Sequence, residues 1–92
     1  MDILDIFKEF GLKEEHLKIY EANLVWGTTT ISNIAYKSKV PRSTVYELIP
    51  QLIELGIIKV SNSDSNKLYT AGDPEILKDL LEKKNSKINN LI

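Results

Sequence analysis

The segment between Val40 and Ile58 restricts the possible folds of this chain more than any other part of its sequence. Pro41 can occupy the start of a helix without losing a needed hydrogen bond, and Gly56 is a typical C-terminal helix stop. Between them, apolar residues recur at steps of three and four: Val45, Leu48, Ile49, Leu52 and Leu55. This spacing predicts a helix with one buried face. The opposite, polar face holds Arg42, Ser43, Tyr46, Glu47 and Gln51.

Two helices are predicted nearer the N-terminus. A short first helix follows from the spacing of Ile3, Ile6, Phe7 and Phe10, and Gly11 ends it. A second helix begins near Lys13 and stops at Gly27. Its predicted buried face consists of Leu17, Tyr20, Leu24 and Val25.

A third helix precedes the Pro41 helix. Thr30 is its predicted N-cap, because a threonine hydroxyl can accept a backbone N–H from the first turn. Ile31, Ile34 and Ala35 form its apolar face, and it should end near Lys37. Residues 38–40 then form a tight turn into the Pro41 helix. Two helices joined by such a turn form the helix-turn-helix arrangement, in which the second helix contacts the major groove of DNA.

The region after Gly56 predicts a β-hairpin and a last helix. Ile57, Ile58 and Val60 are β-branched, and residues 67–70 alternate polar and apolar, so two antiparallel strands are expected. Residues 61–66 contain no apolar side chain and are predicted to be an exposed turn, the wing. Asp73 and Pro74 form an N-cap followed by a proline, and the last helix runs from there towards Ile92.

These elements predict a mostly α fold with a small β-hairpin (α+β), a winged helix-turn-helix with extra N-terminal and C-terminal helices. Residues 1–92 form a single domain, with a core at about 10–72 and a C-terminal dimerisation helix at 73–92. The dimerisation prediction rests on steps of four and three in the last helix, which suit a partner helix. The residues of this seam are Leu77, Leu81, Ile88 and Leu91, interrupted by Lys84. The N-terminal helix is a second candidate for the dimer contact.

Composition limits the class of protein. Ninety-two residues are sufficient for one small domain, and the absence of cysteine excludes disulfides and cysteine-ligated metals. Because no apolar run is long enough to span a bilayer and the N-terminus is acidic, we expect a cytoplasmic protein without a membrane partner.

The distribution of charge is uneven. The net charge of the whole chain is -1, but residues 1–27 carry three lysines and six acidic side chains. Residues 28–72 carry five basic and three acidic side chains, so the positive excess lies in the helix-turn-helix and wing region. This distribution is compatible with binding to nucleic acid, although the excess is small.

The sequence contains no arrangement typical of an enzyme. His16 stands without a second histidine, and it is predicted to be a surface residue rather than a metal ligand or catalytic base. The chain has no phosphate-binding glycine loop and no nucleophile motif, so we expect neither catalysis nor a cofactor. Trp26, at a helix end, is predicted to lie in the core or at a dimer contact.

The chain resembles the N-terminal winged-helix domain of the TrmB family of transcriptional regulators over roughly residues 10–75. The resemblance rests on Gly11-Leu12, Ile19-Tyr20, Ile34-Ala35 and above all on residues 40–47 (VPRSTVYE) with Leu52 and residues 55–58 (LGII). It implies that the Pro41 helix enters the major groove. It also implies that the wing touches the DNA backbone or minor groove and that terminal helices form a dimer.

Three positions depart from the pattern of that family. Lys39 stands where a glycine is usual, so a lysine has to adopt any positive φ that the turn requires. Pro50 stands where the family often has a basic residue, and a proline there should kink the helix late. The wing contains Asp64 and no lysine or arginine, which predicts a weak phosphate contact.

The predicted partner is double-stranded DNA, bound in a sequence-specific manner by a homodimeric transcription regulator. The candidate contacts are Arg42, Ser43, Thr44, Tyr46, Lys37, Lys39 and Lys67. Arg42 is the only arginine, and its planar guanidinium suits guanine or phosphate. The alternative for each residue is a solvated helix face, or for Tyr46 a half-buried position. The alternative function is a winged-helix module that binds another protein, since a fold does not determine its function.

Overall fold

The computed structural model describes residues 2–64 and 66–90, with side chains in the last helix up to Asn85. It contains five helices and one hairpin, and it confirms the predicted winged helix-turn-helix. The elements in chain order are α1 (Ile3–Glu9), α2 (Glu14–Trp26), α3 (Ile31–Ser38), α4 (Arg42–Glu54), β1 (Ile58–Ser63), β2 (Asn66–Ala71) and α5 (Glu75–Asn90). No helix in the described part of the chain is both long and apolar enough to cross a bilayer.

Local capping accounts for where several helices begin. The Thr30 hydroxyl accepts the Asn33 N–H at 3.4 Å, which confirms the predicted N-cap of α3. The Asp73 carboxylate accepts the Glu75 N–H at 2.9 Å at the start of α5. Asp2 caps α1 in the same way, at 2.9 Å from the Asp5 nitrogen. These bonds satisfy backbone donors that the first turn of a helix otherwise leaves free.

The core forms around the inner face of α4, which packs against α2, α3 and β1. The predicted inward residues Val45, Leu48, Ile49 and Leu52 are all buried, and Leu55 is partly buried. Gly56 follows with a φ of +79°, a value that favours glycine. On the other side of α2, the rings of Phe7 and Tyr20 lie 5.7 Å apart and join α1 to the core.

The predicted buried face of α2 is partly wrong. Tyr20 is buried and Leu17 is partly buried, but Leu24 and Val25 are 38% and 69% exposed. Their places on the inner face are taken by His16 and Asn23 together with Ile19 and Ala22. Polar side chains can be buried because hydrogen bonds compensate for their lost hydration. Hydrophobic spacing alone therefore placed Leu24 and Val25 on the buried face incorrectly.

His16 is not a surface residue, since only 1% of it is exposed. Its Nδ1 accepts the Lys13 backbone N–H at 2.9 Å, and its Nε2 lies 2.5 Å from Oε1 of Gln51 on α4. An accepting Nδ1 requires the neutral ring with its proton on Nε2, which then donates to Gln51. His16 thus caps the start of α2 through its bond to Lys13 and connects α2 to α4 through its bond to Gln51. Trp26 is 46% exposed, so the predicted core position is wrong, and a dimer contact stays a prediction.

The hairpin is longer than predicted. Residues 61–63 belong to β1, where Ser61 pairs with Leu68 and Ser63 with Asn66, so the six-residue exposed turn predicted at 61–66 is wrong in length. These strand residues are exposed, and their backbone pairing does not require an apolar side chain. Lys67 pairs with Asn62 and lies beside the tip of the hairpin rather than at its base. The hairpin therefore carries a lysine close to its tip, contrary to the lysine-free wing predicted from the sequence.

The first part of α5 packs against its own chain, so its apolar residues are not available as an exposed face for a partner helix. Leu77 is 1% exposed and belongs to the core, and Leu81 packs partly buried against it. Lys84 donates to the Glu9 carbonyl, and its Nζ lies 3.5 Å from the Glu9 carboxylate and 5.3 Å from the centre of the Phe10 ring. Leu77 is therefore wrong as a dimer residue, because the same spacing also serves a helix that packs within one domain. The side chain of Ile88 and the whole of Leu91 lie outside the described residues.

We predict that Leu77→Ala lowers the free energy of unfolding by about 2–5 kcal/mol, as expected when a buried leucine is truncated. Urea denaturation should show this loss to be independent of protein concentration. Leu24→Ala is the matched control at a partly exposed site and should cost less than about 1 kcal/mol. If the loss of unfolding free energy caused by Leu77→Ala increased at lower protein concentration, this would contradict the position of Leu77 in the core of one chain.

Candidate nucleic-acid interface

A groove of about 560 Å³ lies between α4, the beginning of α3 and the hairpin, and we refer to it as the α4–hairpin groove. Its lining residues are Thr30, Ile31, Ser32, Arg42, Tyr46, Ile49, Pro50, Ile53, Val60, Asn66, Lys67 and Tyr69. Among these described residues two are cationic and none is acidic. The groove therefore brings together the positive side chains of two separate elements, and it favours an anionic ligand.

The first two turns of α4 present its polar face as predicted. Arg42 and Ser43 are exposed, Thr44 is partly buried, and Tyr46 is 51% exposed. The Arg42 guanidinium carbon lies 5.8 Å from the centre of the Tyr46 ring, within the range of a cation–π contact. Because Val45 is fully buried on the other side of the helix, the direction of this face is fixed by the core.

Lys39 adopts the left-handed conformation that the turn between α3 and α4 requires, with a φ of 62°. Its N–H donates to the Ala35 carbonyl at 3.0 Å and ends α3, and the following Val40 N–H donates to the Ser38 hydroxyl at 3.2 Å. A side chain at such a φ costs free energy that glycine avoids. The exposed lysine side chain stands directly before the first turn of α4.

The two outer lysines occupy different places. Lys67 lines the α4–hairpin groove together with Arg42 and Tyr46. Lys37 instead lines a separate depression between α2 and α3, where Glu21 and Lys18 are its neighbours. The structure thus brings Arg42, Tyr46 and Lys67 to one surface, places Lys39 beside it, and separates Lys37 from it.

The α4–hairpin groove also has an apolar part, in which Val60 joins the exposed Tyr46 and Pro50; of these three residues sequence reasoning missed only Val60. Pro50 follows Tyr46 by one helical turn and is exposed, and Val60 of β1 is 42% exposed beside it. The spacing of Arg42, Tyr46 and Pro50 at four residues could have shown that they share a face of α4. Val60 could not be placed there before the position of the hairpin was known. Since α4 continues past Pro50 to Glu54, the helix is not ended by the proline, and the predicted kink stays a prediction.

Tyr69 closes the floor of the groove. Burial, with a smaller effect of the nearby Tyr46, raises the pKa of the Tyr69 phenol above its usual value. A tyrosine phenol is uncharged at neutral pH, so Tyr69 adds no negative charge beside Arg42 and Lys67 in the groove. Tyr20, behind α2, has a pKa raised to about 12 by burial and by Asp73, and its hydroxyl donates to the Gly72 carbonyl at 2.8 Å.

A helix-turn-helix with a hairpin packed beside its second helix defines the winged-helix class of domain. Residues 7–75 match the sequence profile of the family described as sugar-specific transcriptional regulator TrmB, and the chain belongs to this family. The resemblance stated from the sequence is thereby confirmed. The description of this family is that of a transcriptional regulator.

The chain is also similar to individual known proteins. The chain is 32% identical over 77 residues to the uncharacterized protein YrhO of Bacillus subtilis (strain 168), which corresponds to 84% of this chain and 28% of YrhO. The structure of TrmBL2, an archaeal chromatin protein, is similar with a TM-score of 0.79 and 19% identity, over 96% of this chain and 35% of that one. This chain thus spans about a third of the length of both proteins.

Two other solved structures share the fold. A possible transcriptional regulator from Methanosarcina mazei Go1 has a TM-score of 0.70 at 17% identity, over 98% of this chain and 85% of that one. The MarR family regulator SPO1453 from Silicibacter pomeroyi DSS-3 has a TM-score of 0.61 at 15% identity, over 95% of this chain and 65% of that one. At such low identity these similarities establish the winged-helix fold and no more.

We predict that Lys39→Gly raises the free energy of unfolding by about 0.5–1 kcal/mol, because glycine adopts the positive φ of this turn without strain. Lys39→Ala removes the same charge but keeps the strain, so its stability should stay close to that of the wild type. The midpoint of urea denaturation measures both changes. Equal stability of the two variants would mean that the turn holds no appreciable strain at Lys39.

Proposed function

We propose that the protein is a transcriptional regulator that binds duplex DNA sequence-specifically as a homodimer. The observation that supports this most directly is the α4–hairpin groove, where Arg42 of α4 and Lys67 of the hairpin face a common space and none of the described lining residues is acidic. Along a DNA duplex, the anionic groups that such a surface can bind are the phosphates of the backbone. TrmBL2, a structural neighbour, is described as binding DNA, which is consistent with this partner.

In this proposal the first two turns of α4 lie in the major groove. Arg42 contacts guanine or phosphate through its planar guanidinium, and Tyr46 positions it through the cation–π contact. Ser43 and Thr44 are short polar side chains in the same turn and can approach base edges or phosphates. Lys39, in the turn before α4, contacts the DNA backbone, and Lys67 contacts the DNA backbone from the hairpin. Lys37 has the weakest case, because it faces the depression beside Glu21.

The homodimer is proposed because one subunit carries few cations. Within residues 28–72 the excess is only two positive charges, so a second subunit would double both the base contacts and the phosphate contacts. Two α4 helices related by a two-fold axis read a pseudo-palindrome with half-sites about one helical turn apart. Because Leu77 is buried in its own chain, we assign the dimer contact to Ile88 and Leu91 near the C-terminal end of the sequence, or to the N-terminal helix.

We predict that selection from random duplex DNA enriches a pseudo-palindrome, and that Arg42→Ala weakens binding to it by about 10- to 100-fold, the effect of losing one good base contact. Fluorescence anisotropy with a labelled duplex measures this loss. Lys67→Ala should weaken binding to all duplexes alike. It should also lower the slope of log affinity against log salt by about one. Lys8→Ala, an exposed lysine on α1, is the matched control and should bind as the wild type does. Salt-independent binding, or no effect of Arg42→Ala together with Lys39→Ala, would refute the role in DNA binding.

Sedimentation equilibrium at micromolar concentration is expected to give about twice the chain mass of 10.5 kDa. Ile88→Asp should shift this equilibrium towards the monomer if the distal part of α5 forms the contact. Trp26→Ala tests the exposed end of α2 in the same way. A wild-type monomer at these concentrations would contradict the dimer, while leaving the DNA-binding surface of each subunit intact.

A second candidate function is a module that binds another protein through the α4–hairpin groove. It is favoured by the exposed apolar side chains of Tyr46, Pro50 and Val60, which lie in the same groove as the cations. Enrichment of no duplex in the selection experiment would support this alternative. Sequence-dependent enrichment that is lost with Arg42→Ala would exclude it as the main function of the groove.

A further inference from the structure

Tyr36 of α3 is the most exposed of the large hydrophobic side chains in the described part of the chain, at 81%. In that part of the structure no hydrogen bond involves its hydroxyl group. The ring contributes little to the core, and the phenol is a donor that stands ready for an external acceptor. Tyr36 was not among the contacts predicted from the sequence.

The position of Tyr36 on α3 relates it to the α4–hairpin groove. Ser32 lines that groove, and residues four apart on a helix lie on the same face, about 6 Å from each other. Tyr36 therefore continues the face of Ser32 by one turn, towards the end of α3 where Lys39 forms the turn into α4. Lys37 points elsewhere, since it lines the depression against α2.

The charges around Tyr36 favour an anionic acceptor. No aspartate or glutamate occurs in the sequence between Glu21 and Glu47, whereas Lys37, Lys39 and Arg42 all fall within that stretch. An uncharged donor with a rigid ring, on the helix that leads directly to Lys39 and Arg42, is well suited to a phosphate oxygen. A tyrosine has only two side-chain torsions to fix, so such a contact costs little conformational entropy.

We propose that Tyr36 contacts the DNA backbone, with its phenol O–H donating to a phosphate oxygen of the strand that passes along the α4–hairpin groove. This inference rests on the proposed DNA-binding function and extends the contact surface from α4 onto α3. Tyr36 does not read bases. It fixes the position of α3 on the backbone and thereby the depth at which Arg42 enters the major groove.

The test compares Tyr36→Phe, which removes only the hydroxyl, with the wild type on two mixed-sequence 30-base-pair duplexes at several salt concentrations. We expect affinity to fall about 10- to 150-fold on both duplexes, the loss of one hydrogen bond to a charged acceptor. The slope of log affinity against log salt should not change, because a neutral donor releases no counterion. Lys39→Ala, by contrast, should lower that slope by about one.

Val25→Ala is the matched control, an exposed apolar side chain on α2 that lies beside Lys37 rather than on the face of Ser32. It should bind both duplexes as the wild type does. Wild-type affinity of Tyr36→Phe overturns the inference, and so does a loss confined to one of the duplexes, which would indicate a base contact. If Arg42→Ala weakens binding while Tyr36→Phe does not, the proposed function stands and only this inference fails. If the wild type binds neither duplex at low salt, both fail.

Discussion

The burial of one face of α4 determines where every part of the candidate interface lies. Val45, Leu48, Ile49 and Leu52 are buried against α2, α3 and β1, and each such side chain contributes about 1.5–3 kcal/mol. A helix held this firmly on one side has no freedom to rotate about its axis, so Arg42 and Tyr46 on the other side have a fixed direction. The bond between His16 and Gln51 adds a polar constraint at the far end of the same helix.

The position of α4 could be predicted from the sequence because independent features agreed. Its periodicity, its proline at the start and its glycine at the end all indicated one helix with the same boundaries. In α2 the features conflicted, since Leu24 and Val25 have the apolar character of a core while His16 and Asn23 occupy it. Asn23 is buried because its amide donates to the carbonyl groups of Gly27 and Tyr69 at 2.9 and 3.1 Å. The bond to Tyr69 joins residues that are distant in sequence, and periodicity does not detect such a bond.

The candidate interface was predictable to a similar extent. Arg42, Ser43 and Tyr46 share a helical face and could be selected from local spacing alone. The contribution of Lys67 depended on the length of the hairpin, and the polar composition of residues 61–66 gave no indication that four of them belong to strands. The same limit applied to α5, where the spacing from Leu77 to Leu81 fits a partner helix and its own domain equally well. The spacing of apolar residues alone could not distinguish a dimer contact from packing within one domain.

The loop between α2 and α3 is joined to β2 by a short bridge. The Thr29 N–H donates to the Tyr69 carbonyl at 3.0 Å, the Tyr69 N–H donates to the Thr29 carbonyl at 2.7 Å, and the hydroxyls of Thr28 and Thr70 lie 2.8 Å apart. The hairpin is therefore anchored at its base to the residue that precedes the cap of α3. The hairpin and the start of α3, two walls of the α4–hairpin groove, are thus held together by backbone bonds before any ligand arrives. A ligand that needed these two walls further apart would have to break those bonds, so the groove favours ligands that fit it as it stands.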